Sequence, residues 1–410
     1  MALGILYVLL QSSYVQTKLV KYFTQRIEAT TGVKIQIGGV NFRPMSSLVL
    51  TDVLLRDFKN DTLLYCQDLR VKADSFDLID RTFNIREVVL DHATFNLWVQ
   101  DSTNDTNIEL LLASLDKGGG DSSSEIRQGN GPGWLIGLQK ISLRHSRFTY
   151  REEIFEPVDY GVNWTDVDCR ELNVDVTGFN FADSPMKMEV SGLSFIEKSG
   201  LQMKSMGGKV RAGASNLLIT DCRFELGRSN VDLVKLEYNW IPGQHDWKYF
   251  TTRMQQYYEL GPSAVSFIDL AYFNGILRGI TNTVKCSGIV SNTIEQLEGH
   301  DLYFELGEKS VFQGSFKSVG LPDVRNTVFN IELHQAHLGP EDLAAVYLPW
   351  FDMNIPVPGP LYRLPYLDFE QIHFDGTLSD FLVRAKSVTP ALAGNLSFVY
   401  GPCGGGGSGV

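Results

Sequence analysis

Val33, Ile35 and Ile37 alternate with Lys34 and Gln36, Leu48 and Leu50 stand two apart before Thr51-Asp52, and Leu69, Val71 and Ala73 are separated by Arg70 and Lys72. Alternation with a period of two places one set of side chains on an apolar face and the other in water, so these runs predict half-buried strands. Short turn signals, Gly38-Gly39, Asn60-Asp61 and Asp80-Arg81, divide the runs. Strands returning at this short spacing predict an antiparallel meander. A parallel, doubly wound sheet needs long helices between its strands, and no such rhythm is present.

One ten-residue pattern is reused. Val88-x-Leu90 followed by Phe95-x-Leu97 recurs as Ile141-x-Leu143 with Phe148-x-Tyr150, and again as Leu217-x-Ile219 with Phe224-x-Leu226. In every copy the apolar parity switches between the first pair and the second. A strand that keeps one face inward can switch parity only through a bulge, bend or turn. The polar residues between the pairs (Asp91 to Thr94, Arg144 to Arg147, Thr220 to Arg223) predict that feature. The copies are unequally spaced, so the unit is reused without forming a fixed-period solenoid.

Helical signals are few. Residues 2–10 are nearly all apolar; as a helix they would reach only about 13 Å, against ~30 Å for a bilayer core. They read as the end of a truncated membrane anchor or as the first buried turns of a soluble helix. Residues 12–30 form an amphipathic pattern, with Val15, Leu19, Val20, Phe23 and Ile27 on one face. Thr106-Asn-Ile-Glu109 is a capping box before a short apolar helix. Trp247, Phe250, Met254, Tyr257 and Tyr258 predict a helix over 246–260, with a further turn or helix over 263–273. Pro340 with Glu341-Asp342 predicts another short helix. The expected organisation is therefore an anchor and helix at 1–31, a β region at 32–116, a flexible polar loop at 117–133, further β structure with short helices at 134–400, and a Gly-rich tail at 401–410.

The 410 residues carry 36 Lys and Arg against 48 Asp and Glu, a net charge of −12, which argues against a binder of nucleic-acid backbone. The five cysteines are scattered without a CxxC pair, so free, mostly buried thiols are expected. Of seven histidines only His334 and His337 are close in sequence, and residues three apart on a strand face opposite ways. Metalloprotease, nucleophile-elbow and P-loop motifs are missing from the sequence. The expectation is no catalytic residue, no metal and no cofactor.

The apolar strand faces must be covered. A second sheet would give a sandwich; alternatively, a curled sheet would leave an apolar hollow for acyl chains, worth ~0.8 kcal/mol per buried CH₂. Patterning alone favours the sandwich.

Several segments carry a resemblance. They are the entry LGILYVLLQSSYVQTKLVKYFTQRIEATTGVKIQIGGVNF, then SLVLTDVLLRD and LRVKADSFDLIDRTFNIREVVLDHATFNLW, which together span Leu3 to Trp98. Further pieces are LSFIEKSGLQMKSM, IDLAYFNGIL, VFQGSFKSVGLPDVRNTVFNIEL and FDGTLSDF. In this order they resemble AsmA-like proteins, and among them the TamB type of translocation and assembly module found in Bacteroidetes. The resemblance implies a mainly β fold, an elongated curled antiparallel sheet forming a groove, with an N-terminal helix and a few short ones. It implies a bacterial inner-membrane protein with one N-terminal anchor and its bulk in the periplasm, carrying phospholipid towards the outer membrane. An outer-membrane barrel partner would be met through a C-terminal part that this chain lacks, since it matches the N-terminal segment of such proteins. The alternative within the same resemblance is a structural factor that assists insertion of outer-membrane proteins. The residues expected to line the groove are Val33, Ile35, Ile37, Leu48, Leu50, Val88, Leu90, Phe95 and Leu97, with Ile141, Leu143, Phe148 and Tyr150.

Overall fold

The computed structural model describes residues 18, 24, 34–43, 47–57, 59–77, 82–99, 106–108, 135–179, 185–241, 249–349, 352–390 and 392–401. Among them the protein is mainly β with very short helices, as the sequence predicts. The anchor expectation, the amphipathic helix apart from Lys18 and Thr24, Val33, Asp80-Arg81, the capped helix beyond residue 108, the 117–133 segment and all but Gly401 of the tail lie outside the described residues. No described helix is long and apolar enough to cross a membrane. Two compact units emerge, residues 1–179 with 188–204, and residues 180–187 with 205–410. This division falls inside the 134–400 stretch.

The first unit contains β1 (Ile35–Arg43), β2 (Ser47–Arg56), β3 (Thr62–Asp77), β4 (Thr82–Val99), β5 (Leu135–Leu138), β6 (Lys140–Glu152), β7 (Asp166–Thr177) and most of β8 (Met186–Glu197). Neighbours in the chain pair antiparallel from β1 through β4 and from β6 through β8. The joint between β4 and β5–β6 is parallel, a departure from the expected all-antiparallel sheet. Its register is regular. Val88 faces Ile141, Leu90 faces Leu143, Phe95 faces Phe148 and Leu97 faces Tyr150, a constant offset of 53 positions (141 − 88). The two copies therefore lie side by side position for position, with their left-handed residues level.

The parity switch is a left-handed residue at the fifth position of the unit. His92 (φ 51°), His145 (φ 46°) and Asp221 (φ 53°) occupy that place in the three copies. Asp52 in β2 (φ 53°) and Glu171 in β7 (φ 52°) mark two further copies, Leu48-x-Leu50 with Leu55 and Val167-x-Cys169 with Val174. A left-handed residue in a strand interrupts the pleat, so alternation restarts out of phase and the second apolar pair returns to the first pair's face. Gly38-Gly39 is not the turn the sequence predicts. β1 runs straight through it. A Cβ at Gly38 would lie 2.8 Å from the Cβ of Asp52, so the glycine accommodates the kink on the neighbouring strand. Asn60-Asp61 does form the β2–β3 turn, with Asn60 at φ 69°.

The second unit continues as a meander of most of β9 (Gln202–Ala212), β10 (Asn216–Leu226), β11 (Ser229–Asn239), β12 (Gln255–Ser266), β13 (Thr283–Asn292), β14 (Glu298–Leu306), β15 (Ser310–Val319) and β16 (Val328–Leu338). The short β17 (Tyr347–Leu348) and β18 (Met353–Asn354) pair with each other, and β19 (Leu367–Gly376), β20 (Phe381–Ser387) and β21 (Gly394–Tyr400) complete the sheet beside β16. The predicted helix at 340 is α2 (Pro340–Ala344), preceded in the chain by α1 (Phe267–Leu270). The helix predicted over 246–260 is corrected. Gln255 to Leu260 belongs to β12, and residues 242–248 lie outside the described set. Its aromatics fit a helical stripe, but Tyr258 and Leu260 are also two apart, and pairing with β11 and β13 on both sides outweighs the local signal. Ser263 to Ser266 likewise belongs to β12, and only Phe267–Leu270 is helical in the stretch predicted as a second turn or helix.

Candidate functional site

Strand register gathers the predicted residues into rows across the first unit. One row is Leu48, Val71, Val88, Ile141 and Val176; the next is Leu50, Leu69, Leu90, Leu143 and Val174. Beyond the kinks runs Ile35, Leu55, Leu64, Phe95 and Phe148, with Leu97 beside Tyr150. Between them lie Ile37, Val53, Cys66 and Ala93, and these pack with Leu50, Leu64, Leu69, Leu90 and Phe95 as one cluster. All twelve described residues of the predicted lining fall in these rows.

Every one of the twelve is half-buried. In the packed interior of a sandwich, large apolar side chains become fully enclosed. Here no described Leu, Ile, Phe, Tyr or Trp is less than 2% exposed, and the most enclosed leucines, Leu63 and Leu201, keep 4%. The largest side chains that are fully enclosed among the described residues are Asn107, Thr327, two cysteines and five serines. Each apolar cluster draws its members from strands that lie side by side. Among the described residues of the first unit, no second sheet supplies a partner for this face.

The opposite face is charged. Lys72 pairs with Glu87 at 2.6 Å, Lys140 lies 3.5 Å from Glu87 and 3.2 Å from Asp175, and Arg144 reaches Asp175 at 2.5 Å. Further along, Arg147 and Arg170 donate to Asp168 while Arg151 and Lys198 hold Asp166. The Arg147 guanidinium, aided by Arg170, lowers the Asp168 carboxyl to about 2, and the Lys72 ammonium lowers that of Glu87. Partial burial opposes ionisation of Asp166 and Asp175, but Lys198 and Arg151 beside the first, and the Ser142 hydroxyl with Arg144 and Lys140 beside the second, more than offset it. Burial pushes the thiols of Cys66 and Cys169 up to about 11. The arrangement suits ion pairing and water contact. It keeps these carboxylates ionised and these thiols protonated near neutrality.

In the second unit the apolar face is partly roofed. Leu260, Val265, Val284, Cys286, Phe304, Leu306 and Phe312 from β12 to β15 form a floor. Phe267 and Leu270 of α1, Leu277, Ile280 and the 346–348 segment stand over it, leaving a half-open cavity of about 560 Å³. That size lies within the ~300–1,000 Å³ of small-molecule sites. Asn282 and Tyr347 bring polar atoms to the wall; the Asn282 Oδ1 is buried without a hydrogen-bond partner, and the Tyr347 hydroxyl donates to Asp352. Farther across the sheet, Phe374 stacks on Phe381 at 5.0 Å, and Phe381 on Tyr400 at 5.4 Å.

Sequence reasoning found the rows and missed the cavity, because its roof comes from segments 60 to 80 positions apart (Leu270 to Leu348) that carry no shared pattern. His334 is exposed in β16, and His337 is held by Asp368, with 2.6 Å between Nδ1 and Oδ1. No family model, curated protein or solved structure matches the chain.

Proposed function

We propose that the chain is a non-enzymatic carrier of phospholipid, an AsmA-like segment of the TamB type that stands in the periplasm on an inner-membrane anchor. The observation that carries this reading is the set of half-buried apolar rows in the first unit, which have a charged reverse face and no described sheet opposite them. Such a face stays apolar at a cost in water, and an acyl chain laid across the rows removes that cost. Burying six methylenes contributes roughly 5 kcal/mol, enough for a reversible hold without any catalytic group. The roofed cavity of the second unit supports the same reading, since its wall is apolar apart from Asn282 and Tyr347, whose hydroxyl is bonded to Asp352.

The test is photo-crosslinking with a phospholipid carrying a diazirine in its acyl chain. Adduct is expected on the wild-type protein, mapped to β4 and β6, and is expected to fall at least tenfold in the Leu90→Arg and Leu143→Arg variants while their far-UV circular dichroism is unchanged. Loss of structure in both variants, or no adduct on the wild type, overturns the proposal. Either result would instead fit an assembly scaffold with a dry interior.

A further inference from the structure

The parallel joint of β4 and β6 brings together three side chains that the lipid reading does not use. His92 and His145 occupy equivalent places in the two copies of the repeated unit, 53 positions apart (145 − 92), and their rings stack with centroids 5.2 Å apart. Both turn Nδ1 towards one oxygen of Asp91. His92 Nδ1 is 3.0 Å from Asp91 Oδ1 and His145 Nδ1 is 3.3 Å from it. The ligating atoms of the three residues all lie within 4.8 Å of one another.

The two spacings to Asp91 Oδ1 are close to those within a coordination sphere. Two ligands bound at about 2.0–2.1 Å to a tetrahedral ion stand roughly 3.3–3.4 Å apart. The donor set is also specific in kind. Two imidazole nitrogens with one carboxylate oxygen suit zinc, copper, nickel or cobalt, whereas magnesium and calcium take oxygen ligands. The supporting contacts hold the ligands in place. Arg70 donates to Asp91 Oδ2 at 3.1 Å, which leaves Oδ1 facing the histidines, and the backbone N–H of His145 donates to Asn173 Oδ1 at 3.1 Å. Both imidazoles are more than half exposed, at 56% each, so an ion has a path in and room for water at the remaining position.

We propose that Asp91, His92 and His145 form a binding site for one divalent transition-metal ion, clamping β4 to β6 across the parallel joint. This rests on the side-chain geometry and is independent of what occupies the apolar face. A search by sequence spacing misses it because the two histidines meet only through strand register.

The test is isothermal titration calorimetry of the full chain with zinc chloride, alongside cobalt(II) absorption spectra. One equivalent of zinc is expected to bind with a rise in melting temperature, and cobalt is expected to give the intense visible bands of a tetrahedral site. His92→Asn and His145→Asn should each weaken binding at least tenfold; asparagine is chosen because it tolerates the left-handed backbone at both places, so the fold survives. Asp91→Asn should act likewise, and His334→Asn with His337→Asn should change nothing. Magnesium should give no heat. No zinc binding at 0.1 mM protein, or binding unchanged by the His92 and His145 substitutions, overturns the proposal.

Discussion

Asp221 tests the claim that a left-handed residue sets the phase of each repeated strand. It lies in β10 at φ 53°, with its side chain 66% exposed and an ion pair to Lys209 at 2.8 Å. Left-handed backbone costs an ordinary L-residue roughly 1–2 kcal/mol, least for Asp and Asn and most for β-branched residues. Asp221→Gly removes that strain but gives up the exposed ion pair, worth about 0–1 kcal/mol, and gains unfolded-chain entropy of similar size, so it should be nearly neutral. Asp221→Val keeps the strain in its worst form and loses the ion pair. The gap between the two variants should be about 2 kcal/mol, some thirtyfold in the folding equilibrium. Arg223→Val, two positions on and 81% exposed at the side chain, controls for valine on an exposed strand and should shift stability by less than about 0.5 kcal/mol. Urea unfolding with hydrogen-exchange protection of β10 and β11 reads all three. If Asp221→Val is as stable as Asp221→Gly, the kink does not depend on this residue and the phase argument fails.

Three further outcomes are expected. Gly38→Val should destabilise the first unit by about 1–3 kcal/mol, because its Cβ meets Asp52 across the β1–β2 pair at 2.8 Å; a melting curve no lower than wild type would rule this out. Asp168, held at about 2 by Arg147 and Arg170, has a folded-state value below that of the unfolded chain, near 3.9. Its contribution is therefore present above about pH 4 and disappears as pH falls towards 2, so Asp168→Asn should flatten stability over that window in acid unfolding. Cys286, in the wall of the second unit's cavity, should react with maleimide more slowly once a fatty acid is added in a Cys403→Ser background, and an unchanged rate would show the cavity is not an acyl site.

The strands and the apolar rows were legible because alternation is a local property, and Leu90 or Leu143 announces its face through its neighbours two positions away. The parity switch was legible for the same reason, and it confined the kinks to residues 91–94, 144–147 and 220–223, within which the backbone angles single out His92, His145 and Asp221. What failed was whatever depended on a partner. Gly38-Gly39 resembles a turn until Asp52 is set opposite, and Tyr257-Tyr258 fits a helix until β11 and β13 claim both edges. The parallel joint and the Asp91–His92–His145 cluster were beyond local reading, because a 53-residue offset becomes a contact only when two strands choose the same direction.

Strand pairing also sets a scale. Each further strand widens a sheet by about 4.8 Å at constant cross-section, so the seven successive positions of β1 to β8, counting β5 and β6 as one, extend roughly 29 Å from first to last. One leaflet's hydrocarbon is about 15 Å deep, half the bilayer core. A meander of this kind can thus be lengthened a hairpin at a time, by duplication or by engineering, and its reach becomes a countable quantity.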